Sequence, residues 1–181
     1  PENVEFTLAL LNSSIAHYML SLLNPTVSFQ VGDLARLPIP LESSPTLQTL
    51  VERAIALAKQ DSEENETTWD FIAPPAWPDG LQQVAARHAE LAELERQIDE
   101  GVYRLYGIHE DDRQAIEREL AESQPITNAD EDGSETPPDA DESSDDARHL
   151  TRDELARQWL NYAVGIVLGQ FQPGNPDGLG R

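Results

Sequence analysis

Residues 81–106 constrain this chain more than any other stretch. Leu81, Val84, His88, Leu91, Glu95, Ile98, Val102 and Leu105 recur by threes and fours. That is a heptad seam, broken by polar groups at His88 and Glu95. As a helix it would run roughly 26 residues and about 39 Å. Asp79 with Gln82 has the pattern of a capping box at its start. Gly107 is suited to end it, and Gly101 weakens it modestly. Glu90, Glu93 and Glu100 fall on a solvated face. A helix this long is stiff and suited to packing antiparallel against another.

The flanking sequence reads as further helices around one extended piece. Phe6, Leu10, Ala16 or His17, and Leu20 keep helical spacing. Leu8, Leu11, Ile15, Met19, Leu22 and Leu23 widen that stripe beyond one face, as in a helix buried on both sides. Asn12, Ser13 and Ser14 interrupt it with groups suited to a local hydrogen bond or a small packing notch. The helix must stop by Asn24, because Pro25 disfavours the α conformation before it. Residues 27–31 alternate apolar and polar, which predicts a short strand. Gly32-Asp33 marks a turn, with Asp33 suited to cap a helical turn through Leu37. Pro38-Ile39-Pro40 leaves in extended form.

Ser44-Pro45 reads as N-cap and first residue of a second helix. Trp69-Asp70-Phe71-Ile72 is an apolar plug, followed by a stiff Pro74-Pro75-Ala76-Trp77-Pro78. Trp69 and Trp77 fit core anchors better than stacking platforms. A short charged helix follows over 110–122. Residues 124–148 are acidic and Ser/Pro-rich, too poor in large apolar groups to offset ordering entropy, and are expected to be disordered. Thr151 with Glu154 forms another capping box, opening a helix to about residue 170 before a Gly/Pro-rich coil. The expected fold is mainly α with a small β element: a long heptad-patterned helix, an acidic disordered insert and a C-terminal helix.

Charge and chemistry narrow the function by exclusion. The chain has 181 residues, no cysteine and a net charge of −22. Residues 130–147 hold nine Asp or Glu and no Lys or Arg, yet the remainder is still at −13. Lys59 is the only lysine among twelve basic residues. This fits either adaptation to high salt, where screening relieves self-repulsion, or an ordinary acidic protein with an acidic tail. A free-standing nucleic-acid binder would carry a basic footprint that is missing here. His17, His88, His109 and His149 are scattered, so no metal site is expected. No phosphate-binding glycine loop and no nucleophile elbow occurs. Asn24-Pro25-Thr26-Val27 lacks the second proline and the aromatic residue of the catalytic motif of amino-methylating DNA methyltransferases. No catalytic residue is therefore assigned. Gly165 and Gly169 form a G-x-x-x-G in an apolar run too short for a membrane span, which suggests close packing of two helices. No signal peptide pattern is present, and a cytoplasmic location is expected. The chain starts on Pro1 without a methionine and reads as a piece of a longer protein.

Several motifs, in order, resemble those of fused adenine-specific DNA methyltransferases. Leu10-Leu11-Asn12-Ser13, Leu23-Asn24-Pro25-Thr26, Phe29-Gln30-Val31-Gly32-Asp33 and Leu37-Pro38-Ile39-Pro40 resemble the target-recognition region that follows the catalytic domain in these enzymes. They include type IIG restriction-modification enzymes and the PglX family of the BREX phage-defence system. The Leu-Pro-x-Pro exit is also similar to type I specificity subunits. Thr68-Trp69-Asp70-Phe71 resembles the Ser-Trp-Asp-Phe of PglX proteins, though the Asp-Trp-Asp usual before it is absent. Val102-Tyr103-Arg104-Leu105-Tyr106-Gly107-Ile108, and Asn161-Tyr162-Ala163-Val164-Gly165 with Gly169, are similar to two further segments. The acidic insert has no counterpart.

The resemblance implies four parts. Residues 1–41 would end a target-recognition domain and 42–123 would be a helical spacer containing the long helix. Residues 124–148 would be the insert and 149–181 the C-terminal helix and coil. It implies a parent enzyme that uses S-adenosylmethionine, flips an adenine from double-stranded DNA and methylates its N6, with other defence-system proteins as possible partners. The chain itself would hold no cofactor and no metal. DNA contacts would fall on Thr26, Ser28, Gln30 and Arg36. Gln can bond adenine bidentately, Ser and Thr can reach base or phosphate, and Arg36 can meet a phosphate or guanine. Alternatively, Gln30 satisfies backbone near Gly32 and Arg36 pairs with Asp33. A different reading is a stand-alone acidic helical adaptor that binds a protein partner through the seam and the last helix.

Overall fold

The computed structural model describes residues 4–24, 29–40, 44–123 and 150–174. They form seven helices: α1 Val4–Leu11, α2 Ser14–Leu23, α3 Val31–Leu34, α4 Pro45–Glu64, α5 Gly80–Leu105, α6 Glu110–Ser123 and α7 Arg152–Val167. The acidic insert expected over 124–148 lies outside the described residues. No strand occurs among those described. Val31 opens a short helix instead of closing a strand.

The expected first helix is two helices, bent by 65°. Ser13 is the cause. Its hydroxyl donates to the Leu10 carbonyl at 2.7 Å and accepts from the Ala16 N–H at 3.3 Å, so it ends one helix and caps the next. Asp99 on α5 fixes the bend from outside. Its carboxylate accepts from the Ser14 N–H at 2.8 Å and from the Ser14 hydroxyl at 2.5 Å. A carboxylate at a helix N-terminus is favoured by the exposed N–H groups and the helix dipole.

Two long helices form the spine. Ser44 caps α4, with Pro45 in its first turn. Antiparallel α5 meets it from Leu47 against Gly101 at one end to Asp61 and Glu64 against Arg87 at the other. A Cβ on Gly101 would lie 2.6 Å from the Leu47 side chain. Close approach of α4 therefore offsets the helix-weakening expected of this glycine. Gly107, at φ +66°, ends α5. Its N–H reaches the Arg104 carbonyl while that of Ile108 reaches Tyr103, satisfying the last-turn carbonyls.

The seam itself is shifted from the expected register. Val84, Arg87, Leu94, Ile98 and Val102 are buried, whereas Glu95 is exposed and His88 partly so. Arg87 and Leu94 occupy the places expected of His88 and Glu95. An arginine can sit there because Asp61 meets its Nε at 2.5 Å and Glu64 its terminal nitrogen at 2.5 Å. The capping box at Asp79 does not form. That residue has helical backbone angles and makes no side-chain cap, and the Gly80 N–H is taken by the Ala76 carbonyl.

One cluster joins the helices at the Leu47 end. It contains Phe6, Ala9 and Leu10 of α1, Ile15 of α2, Leu47 and Val51 of α4, Ile98, Val102 and Tyr103 of α5, and Ile116 of α6. The seam is thus used inside the chain. A second cluster lies beyond the other end of the spine, where Phe71 meets Tyr162 of α7 and Phe171. Thr151 and Glu154 cap α7 reciprocally, as expected. The helix ends at Val167, earlier than expected, because Gly169 at φ +77° turns the chain back. The glycine pair does not join two helices: a Cβ on Gly165 would lie 2.4 Å from the Phe171 ring. Nor are the tryptophans core anchors. Trp69 is 90% exposed and Trp77 48%. Leu160, Val164, Val167 and Leu168 also face outward. No single described helix is long and apolar enough to cross a membrane.

Candidate nucleic-acid interface

The chain from residue 29 to 40 packs against α2. Leu37 packs with Ala16 and Leu20 of α2, and Leu34 flanks the contact, which seats α3 on that helix. The exit is held at a second point. The Tyr106 hydroxyl, at the end of α5, donates to the Pro38 carbonyl at 2.8 Å.

Asp33 organises the turn, though from inside it. Gln30 is the N-cap residue, in extended conformation, and Asp33 lies at the third helical position. Its Oδ2 accepts from the Asn24 side-chain amide at 2.9 Å and from the Gln30 N–H at 3.0 Å. These bonds, the Asn24 amide first and then the Gln30 N–H, hold the Asp33 carboxyl below the usual carboxylate range. Desolvation opposes them, and the Arg36 charge adds least. In place of the alternative Asp33–Arg36 pair, Asp33 forms a clamp that ties Asn24 to Gln30.

Gln30 and Arg36 are both exposed. Phe29, Val31 and Ile39 expose apolar surface beside them, Val31 at 83%. Phe29 also lies edge-on to His17, with ring centroids 6.2 Å apart. The surface therefore offers one amide, one guanidinium and several apolar groups. Thr26 and Ser28 lie outside the described residues. Among the described residues no group of three or more His, Asp or Glu is placed to hold a metal ion.

The depressed Asp33 pKa has a definite sign. A carboxyl whose folded-state pKa is lowered contributes stability above its unfolded value, and that contribution is lost as pH falls through the folded value. The clamp should therefore persist below the ordinary carboxylate range and then release. An NMR titration of the Gln30 amide should show its inflection below that of a free aspartate. An inflection at the ordinary aspartate value would mean the clamp does not form in solution.

Sequence reasoning missed Asp99 and Tyr106, which support this surface from α5. Asp99 bonds Ser14, 85 positions away, and Tyr106 bonds Pro38, 68 away. No local pattern announces either contact. Several of the quoted motif residues hold the fold. Val102, Tyr103, Phe71 and Tyr162 are buried, Gly107 ends α5 and Gly165 backs onto Phe171.

No family model matches the chain, and no solved structure does. Two curated proteins are similar to it. The adenine-specific methyltransferase PglX of Lacticaseibacillus casei (strain Zhang) is 25% identical over 177 residues, which cover 94% of this chain and 14% of that protein. The adenine-specific methyltransferase BrxX of Escherichia coli O9:H4 (strain HS) is 36% identical over 64 residues, 35% of this chain and 5% of that protein. The chain is thus similar along nearly its whole length to a small part of an adenine-specific methyltransferase.

Proposed function

We propose that this chain is a non-catalytic part of a site-specific adenine-N6 DNA methyltransferase acting in phage defence or restriction-modification. The observation that carries this reading is the reach of the similarity: 94% of the chain against 14% of the PglX relative. The parent would take its methyl group from S-adenosylmethionine and extrude the target adenine from the duplex. Residues 1–41 would complete the target-recognition part, and 42–123 would hold it at a set distance from the catalytic pocket. The paired α4 and α5 suit a spacer. The seam that a free-standing adaptor would offer a partner is already occupied by this chain's own helices.

Gln30 and Arg36 are the proposed DNA contacts among the described residues, with Thr26 and Ser28 completing the set. Arg36→Ala in the intact parent should weaken binding to all sequences and flatten the salt dependence by about one unit, as loss of one phosphate contact does. Gln30→Ala should relax preference at one position of the site. If both variants fold and methylate the same sites at wild-type rates, this region is scaffold and recognition lies elsewhere in the parent.

A further inference from the structure

One apolar cluster is built on the spine at its Leu47 end and another lies beyond its opposite end, with a charged layer between them. Arg87 lies in that layer with its side chain 4% exposed. Asp61 and Glu64 neutralise it from α4, and His88 approaches the other Asp61 oxygen at 3.4 Å. The connector, residues 65–79, leaves α4 at this level. Its Ile72 N–H bonds the Glu63 carbonyl at 2.7 Å, and the Thr68 hydroxyl bonds that of Ser62 at 2.5 Å.

Helix α7 is seated on this connector. The Trp159 indole donates to the Pro75 carbonyl at 2.8 Å. Phe71 stacks edge-on with Tyr162 and Phe171, and Arg152 lies over the Trp77 ring. The cluster at the Leu47 end includes no residue of α7.

We propose that the connector and α7 form one end module that opens and closes as a unit on the spine, with the Arg87 layer as its latch. Apolar contacts weaken gradually as surfaces slide apart. A buried guanidinium has no such intermediate: without its carboxylates it must reach water. The last turn of α4 is where the carboxylates and the connector's anchoring carbonyls meet. Loss of the layer there frees the connector, and α7 leaves with it. The Leu47-end cluster, several turns away, keeps its own contacts. Local opening in such cooperative units is a general property of folded chains.

The chain provides a probe of this motion. It has three tryptophans. Trp69 and Trp77 are in the connector and Trp159 is in α7, so tryptophan emission reads the module alone. The test is native-state hydrogen exchange of the 181-residue chain in sub-denaturing urea, with emission followed in parallel. Segments 65–79 and 152–167 should share one opening transition, less protected than 94–105, and emission should change with it. Glu64→Ala should raise exchange in both module segments roughly tenfold, the equivalent of losing one hydrogen bond to a charged group. Segment 94–105 should stay within about twofold, as expected of a distant site. Separate transitions for the two segments in the wild type would overturn the proposal, even if the variant fails to fold. So would a uniform rise that includes 94–105, or no change in the module.

Discussion

Ile98→Asp should remove most of the stability of the helical body. Ile98 lies on α5 among Val51, Leu10 and Val102, in the cluster that joins five helices. The residues of that cluster offer an aspartate no cation. An uncompensated buried charge costs on the order of 3–5 kcal/mol, a large part of the roughly 5–15 kcal/mol that holds a domain folded. Glu93→Ala, on the same helix, should leave the thermal midpoint nearly unchanged. Its partners Arg96 and Gln97 are neighbours on the solvent face, and exposed pairs contribute little. Circular dichroism melts of both variants provide the check. Equal losses would mean that the burial register of α5 is wrong.

The second large effect is expected at Phe71→Ala. Phe71 is 1% exposed and touches both Tyr162 and Phe171. Truncating a fully buried phenylalanine costs about 3–5 kcal/mol through lost transfer energy and the cavity left behind. Trp69→Ala, two residues earlier, should fall within about 0.5 kcal/mol, because that ring faces water. Urea titrations followed by tryptophan emission would compare the two. A greater loss at Trp69 would place the wrong aromatic residue in the core.

The contrast between Phe71 and Trp69 marks where sequence reasoning works here. Three signals acting within three or four residues were legible, whereas the capping box at Asp79 failed because the Ala76 carbonyl takes the Gly80 N–H. Ser44-Pro45 starts α4, Thr151 with Glu154 starts α7, and Gly107 ends α5. Signals that depend on a distant partner were not. His88 and Glu95 fit the heptad spacing as well as Arg87 and Leu94 do. Only the carboxylates of α4, over twenty residues away, select the register that buries an arginine. Of the strand expected over 27–31, residues 27 and 28 lie outside the described residues and the rest gives way where Gln30 and Asp33 start a helical turn. In the candidate interface, Gln30 and Arg36 were legible as polar groups flanking a turn. The clamp of Asp33 by Asn24 was not, because it spans nine residues and competed with the nearer Arg36.

The pairing of α4 with α5 also limits how a protein of this shape can change in length. One residue inserted in a helix turns everything beyond it by about 100° and advances it about 1.5 Å. On α5 alone that would swing Arg87 away from Asp61 and Glu64 while Ile98 stayed in place. Seven residues added to each helix at facing positions would nearly restore the orientation. The two ends would then lie about 10.5 Å further apart. The distance between the Pro38 exit, tied to Tyr106, and the Phe71 end can therefore be adjusted only in discrete, paired steps.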